Sequence, residues 1–304
     1  MATRKTWMRV LCLLLALLLT ACAEAGNTQG IPGTTGGGYT APPMQTSVFD
    51  AQSAEGDNGI QIDTSHVSQG YVAASAVSTS RLKFQVLFRD IKYNYDLPSD
   101  GTPQCYVLQS GSGVYTFRVM QNTTEDKYAE VYSTTVSVQL ENELVPFLRP
   151  SQMVDYTAES ECVAKAAELA SQASTESGVV ANIYEYIQNN IVYDTQKAET
   201  VQSGYLPDPD ETLRSGKGIC YDYASLAAAM LRSQGIPTKL ITGYVQPGDL
   251  YHAWNMIWLE ETGWITVKIE APAHSWERID LTFAAGASAA YTGDGTGYTD
   301  RLTY

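Results

Sequence analysis

Residues 215–237 read SGKGICYDYASLAAAMLRSQGIP. Two glycines, Gly216 and Gly218, lead to Cys220, and an alanine- and leucine-rich helix starts on that cysteine. The pattern predicts a helix over 220–234 that buries Ala224, Ala227, Met230 and Leu231. It stops at Gly235, with Pro237 two residues beyond. A cysteine used only for packing belongs in the middle of an apolar face. At a helix start a thiol instead meets unsatisfied backbone N–H groups and the positive end of the helix dipole. Such a seat favours thiolate and brings a cysteine pKa from about 8.5 to between roughly 3.5 and 7.5. The two glycines are expected to leave room for an acyl group near the backbone, whose N–H groups would hold a developing oxyanion.

Working outward, residues 151–304 read as α+β. SECVAKAAELASQA opens on Ser160 as a cap. ESGVVANIYEYIQNNI places Val180, Ile183, Tyr184 and Ile187 on one helical face, followed by Ile191. LPDPDETLRSGKG carries a helix-start signal, with Asp208 as cap, Pro209 first and Glu211 in the capping-box position. After the cysteine helix come strands over 238–245, 251–259, 264–269 and 276–280. Helices followed by an antiparallel meander give a cysteine helix packed on an antiparallel sheet.

Residues 60–150 differ in period. In LKFQVLFR, Leu82, Phe84, Val86 and Phe88 alternate with Lys83, Gln85, Leu87 and Arg89. Tyr115, Phe117 and Val119, and then Val136, Val138 and Leu140, repeat the alternation. Period-two runs separated by DLPSDG and SGSG predict a small all-β, sandwich-like domain. Nothing in it gathers catalytic residue types.

The N-terminus is of another kind. Arg4, Lys5 and Arg9 precede an apolar run from Val10 to Leu19, which is shorter than the about 20 residues of a membrane span. Residues 1–21 therefore read as an export signal. Its end, LTAC, resembles the bacterial lipoprotein signal, in which the cysteine, here Cys22, becomes the lipid-modified N-terminus. That implies a mature protein tethered to a membrane and facing outside the cytoplasm. Residues 22–59, rich in Gly, Ser, Thr, Pro and Ala, read as a flexible linker.

The chain holds 19 Lys and Arg against 33 Asp and Glu. Removing the signal's three basic residues takes the balance from −14 to −17. A chain so acidic does not hold nucleic acid or an anionic bilayer through charge. Beyond Cys12 and Cys22 only Cys105, Cys162 and Cys220 remain, enough for one bridge at most. Two free buried thiols at 105 and 162 fit the sequence better than a bridge between them.

A nucleophilic cysteine needs a base, and the histidines are His66, His252 and His274. His66 in DTSHVS reads as a surface residue and His274 as a loop residue. His252 in LYHAWNMIWLE shares a strand face with Trp254, Met256 and Trp258, and follows the cysteine helix by one strand and a turn. For the acid that orients the base, Asp280 in SWERIDLTF stands against Asp249 and Glu270. No paired C-x-x-C or H-x-x-x-H spacing suggests zinc, so no metal or other cofactor is expected.

The ordered blocks GKGICYDYASLAAAMLRSQGIP, YHAWN and WERIDLTF resemble the transglutaminase-like superfamily, especially its bacterial exported members, over roughly 155–283. The resemblance implies a papain-like Cys-His-Asp fold. Cys220 would be the nucleophile, His252 the general base and then acid, and Asp280 the residue that holds the imidazole tautomer. The Cys220 backbone N–H is the expected oxyanion donor, with Tyr193 in IVYD a weaker candidate. Leu281 stands where the family has proline. The implied activity is acyl transfer on protein or peptide amides at the cell surface, as a peptidase, amidase or transglutaminase. The alternative is an inert surface binding module that keeps the fold. Asp222 is expected to serve the helix end rather than substrate, and the loop TQKAETVQSGYLP to border the cleft.

Overall fold

The alternating runs become strands whose inward residues form the first core. The computed structural model describes residues 38–246, 250–260, 263–266, 268–269, 276–277 and 298–304. The first seven strands are β1 (Ile60–Asp63), β2 (Tyr71–Ala76), β3 (Leu82–Phe88), β4 (Ile91–Leu97), β5 (Gln104–Val107), β6 (Gly113–Thr124) and β7 (Lys127–Val138). They form two antiparallel sheets, β1-β2-β5 and β4-β3-β6-β7. In β3 the side chains alternate between buried and half-buried, as period two requires. Phe84 and Val86 pair in register with Val119 and Phe117 of β6. The Phe84 ring lies 4.3 Å from Tyr106 on the facing sheet. Each such aromatic, fully buried, contributes about 1.5–3 kcal/mol over an exposed one.

The helical half adds α1 (Glu161–Ala170), α2 (Glu176–Asn190), α3 (Thr195–Thr200), α4 (Pro209–Ser215) and α5 (Cys220–Ser233). Two short strands, β8 (Val192–Tyr193) and β9 (Lys217–Gly218), pair in parallel. Asp208 caps α4 by accepting the Glu211 N–H at 3.0 Å. Ser160 occupies the cap position of α1 but makes no side-chain cap bond. Asp210, from the start of α4, accepts the Glu161 and Cys162 N–H groups at 3.1 and 2.9 Å, so one helix caps another. Helix α5 is buried from Asp222 to Ser233 and is the central element of this half.

The sheet behind α5 consists of β10 (Thr238–Val245), β11 (Leu250–Leu259), β12 (Gly263–Thr266) and β15 (Tyr298–Thr303), in the order β12-β11-β10-β15. Strands β13 (Lys268–Ile269) and β14 (Trp276–Glu277) form a separate antiparallel pair. The meander expected through 264–280 is thus divided. The fourth strand of the main sheet comes from the chain's last residues, YTDRLT, which carry no clean alternation. One apolar core runs from the sandwich into the helical half.

Residues 38–59, expected to belong to a flexible linker, are fastened to the fold. Tyr39 donates its N–H to Ala173 O and its hydroxyl to Gln234 O, both at 2.7 Å. Asp50 donates its N–H to Asp63 Oδ2 at 2.8 Å. Arg149 donates to the Thr46 carbonyl and lies 4.7 Å over the Tyr71 ring. At Gly235, with φ +79°, a Cβ would stand 2.1 Å from Pro42 Cγ. Composition does not reveal this docking, because backbone groups, a few polar side chains and two isolated apolar residues, Tyr39 and Met44, make it rather than a periodic apolar face. The signal, Cys22 and the rest of the linker lie outside the described residues, as do Asp249, Glu270, His274, Asp280 and Leu281. Among the described residues no helix is long and apolar enough to cross a membrane.

Candidate active site

Helix α5 begins from an extended residue, Ile219, whose N–H is accepted by Asp222 Oδ2 at 2.8 Å. The N–H groups of Cys220 and Tyr221 then fall in the first turn, where helix geometry supplies no acceptor. The thiol side is open enough for chemistry: Cys220 is half-buried and free; Cys105, half-buried, and Cys162, fully buried, are free as well. Burial pushes the Cys105 thiol up to about 11 and raises that of Cys162 further.

The glycines before the cysteine serve the backbone rather than an acyl group. Gly216 closes α4 in the left-handed region, with φ 65° and its N–H on Thr212 O. A Cβ on Gly218 would stand 2.6 Å from Asp222 Cβ. Gly218 is therefore what admits the Asp222 carboxylate to the helix start. This corrects the expectation that the pair makes room for substrate.

Asp222 is fully buried and accepts two further bonds, from Lys197 Nζ at 2.7 Å and from the Tyr205 hydroxyl at 2.6 Å. Lys197 Nζ also donates to the Tyr205 hydroxyl at 2.7 Å. Burial and the adjacent carboxylate both raise the Tyr205 pKa. The loop that sequence placed at the cleft thus contains α3 and is tied to the nucleophile's own helix. Asp222 alone was visible as a helix-end residue; its two loop partners carried no periodic signal.

His252 lies on β11 opposite Gly243 of β10. It is buried, and its ring sits 6.4 Å from that of Trp254 at 25°. Farther along β11, Asn255 Nδ2 donates to Ala224 O of α5 at 3.0 Å and to Lys239 O of β10 at 3.2 Å. Cys220 and His252 border one cavity of about 580 Å³. Tyr193, the weaker oxyanion candidate, borders it too, at the end of β8. The loop 198–205, Tyr221, Tyr251, Arg301 and Tyr304 complete most of the lining. His66 lies elsewhere, stacked 5.1 Å from Tyr71 in the sandwich. Among the described residues no group of three or more His, Cys, Asp or Glu is placed to hold a metal ion.

The arginine of the stretch LRSQGIP has a purely architectural place. Arg232 is fully buried and donates to Thr238 O, Arg149 O and Tyr304 O at 2.9, 2.8 and 2.9 Å. Burial pulls its pKa down to about 10. It joins α5 to β10, to the end of the sandwich and to the last residue of the sheet.

These features agree with what the chain resembles. A UPF0252 protein of Methanocaldococcus jannaschii is 31% identical over 97 residues, 29% of this chain and 28% of that protein. A UPF0252 protein of Archaeoglobus fulgidus is 33% identical over 85 residues, 23% of this chain and 27% of that protein. This chain therefore spans little more than a quarter of the length of the curated relatives it matches. The periplasmic domain of TgpA from Pseudomonas aeruginosa is a structural neighbour at 16% identity and a TM-score of 0.35, over 81% of this chain and 76% of that one. Residues 163–269 match the transglutaminase-like superfamily, and this segment carries both the cysteine helix and the histidine strand. The chain carries a mixed α and β domain of the transglutaminase-like superfamily.

Proposed function

We propose that this protein is an exported lipoprotein that performs cysteine-dependent acyl transfer on protein or peptide amides at the cell surface. The observation that carries the reading is that Cys220, at the start of α5, and His252, on β11, border the same cavity. In the proposed reaction Cys220 Sγ attacks the amide carbonyl while His252 takes the thiol proton. The oxyanion forms toward the Cys220 N–H. Collapse of the intermediate expels the amine, which receives the proton from His252, and leaves a thioester on Cys220. Water or an amine then attacks the thioester, with His252 again as base. Asp280 is assigned the task of holding the imidazole, on the strength of the family resemblance. Cys22 is assigned the lipid.

Three experiments test this. Cys220→Ala is expected to abolish turnover of an exported-protein digest, scored by released amines and new isopeptide bonds. Selective alkylation near neutral pH is expected to do the same. The high pKa of Cys105 and Cys162 keeps those thiols protonated there, so mass mapping should find the label on Cys220. Activity that survives both treatments rejects the mechanism and leaves the binding-module alternative. Labelled palmitate should enter the wild-type chain and not Cys22→Ser; incorporation into neither rejects the anchor.

A further inference from the structure

The cavity has a charge character opposite to that of the chain. The protein carries 33 acidic residues against 19 basic ones. Yet none of the cavity's described lining residues is Asp or Glu, and one, Arg301, is a fixed cation. Five of the others are tyrosines.

Arg301 holds this position through a defect in the sheet. On β15, Leu302 pairs with Thr242 and Asp300 pairs with the next residue, Gly243, so Arg301 is the extra residue of a β-bulge. Bulges re-aim a side chain beside functional sites. This one is built in by Gly243, where a Cβ would stand 2.1 Å from Thr299 O. Gly243 is also the residue paired with His252 across β10 and β11. The bulge therefore lies on the same cross-strand row as the proposed base. Arg301 is an exposed residue whose guanidinium lies 5.9 Å from the Tyr251 ring. Its charge works against the burial that raises the Tyr304 pKa, so its field acts inside the cavity. Among the described residues no carboxylate forms an ion pair with it.

We propose that Arg301 is the specificity determinant of this cavity and takes a carboxylate of the acyl substrate, either an acidic side chain or a free C-terminus. The proposal rests on the acyl-transfer reading for the word substrate, but its test does not need turnover. A guanidinium receives a carboxylate in bidentate fashion, and the surrounding tyrosines supply hydroxyl donors and aromatic walls. The strongly negative remainder of the chain repels anions, so without a local cation the cavity would exclude them.

The experiment compares the rates at which iodoacetate, an anion, and iodoacetamide, its neutral counterpart, modify Cys220, read by mass mapping. The ratio of the two rates should fall roughly five- to tenfold in Arg301→Gln and be largely kept in Arg301→Lys. Any preference that His252 contributes remains in all three proteins and cancels. In the wild type the same ratio should fall as salt is raised, which provides a measurement should Arg301→Gln fail to fold. A second arm measures protection of Cys220 from iodoacetamide by acetyl-Ala-Gln-Ala as free acid, the same peptide as its amide, and acetyl-Ala-Glu-Ala-amide. Protection by the free acid alone identifies a C-terminal carboxylate; protection by the Glu peptide identifies an acidic side chain. A ratio indifferent to Arg301 and to salt, or equal protection by the neutral amide, overturns the proposal while leaving the acyl-transfer reading intact. Failure of Cys220 to react with either reagent overturns both.

Discussion

The two ends of α5 each bury a charge, of opposite sign. At the N-terminal end a buried carboxylate, Asp222, accepts from Ile219 N–H, Lys197 Nζ and the Tyr205 hydroxyl. At the C-terminal end a buried guanidinium, Arg232, donates to three carbonyls. Each sign suits its end of the helix dipole, but only Asp222 serves a backbone group of the helix terminus itself, the Ile219 N–H, whereas the acceptors of Arg232 belong to other elements. They differ in what they fasten. Arg232 binds β10, the end of the sandwich and the last residue to the helix, all of them fixed parts of the fold. Asp222 binds α3 and the loop behind it, which forms a wall of the cavity. The first device serves architecture, and the second gives the cavity its shape.

Three substitutions probe that contrast, the largest effect first. Arg232→Met takes the guanidinium from three buried carbonyls, of which Tyr304 O keeps the Leu240 N–H, and should cost about 3–5 kcal/mol, read from urea midpoints. A loss below about 1 kcal/mol would mean that water or local repacking replaces the guanidinium. Gly218→Ala forces a Cβ against Asp222 and should cost about 1–3 kcal/mol. It should also speed proteolytic nicking in 195–205, a signature that Arg232→Met at matched stability should not share. Tyr205→Phe removes one of three donors to the carboxylate, for about 1–2 kcal/mol. That contribution carries a pH signature. Because the folded state raises the Tyr205 pKa, the contribution is fully present below about pH 10. It fades as pH rises through the raised value. The stability gap between wild type and Tyr205→Phe should therefore narrow in alkali; a gap constant to pH 12 contradicts the assigned contact.

The smallest effect lies at a third helix start. Ser160→Ala should change stability by less than about 0.5 kcal/mol, since Ser160 makes no cap bond, whereas Asp210→Ala should cost about 1 kcal/mol through α1. The reverse order would restore the cap that sequence assigned to Ser160.

Those cases mark where sequence reading is strong. The strands of the sandwich follow from alternation in 82–89 and 115–119, because one face of each meets water and the other the core. Helix α5 follows from its apolar spacing and from the glycine and proline after it. The pairing of Asp208 with Pro209 marks α4, because capping is decided within four residues. Strand β15 escaped notice because its pairing, not its pattern, makes it a strand. Lys197 and Tyr205 escaped because a polar residue in a loop gains meaning only from a partner far along the chain.

The sequence by itself determined the alternating strands over 82–89 and 115–119, helices α4 and α5, the seating of Cys220 at a helix start and the choice of His252 as its candidate base. These rest on local rules of helix termini and strand periodicity, which act over a few residues. Only the tertiary structure decided that Gly218 makes room for Asp222 rather than for substrate, and that residues 38–50 are docked. It likewise brought Arg301 to the cavity that Cys220 and His252 border. The physical reason is that packing distances and buried hydrogen bonds join residues far apart in the chain, and even the neighbours Gly218 and Asp222 take their roles from Lys197 and Tyr205, which no local pattern encodes.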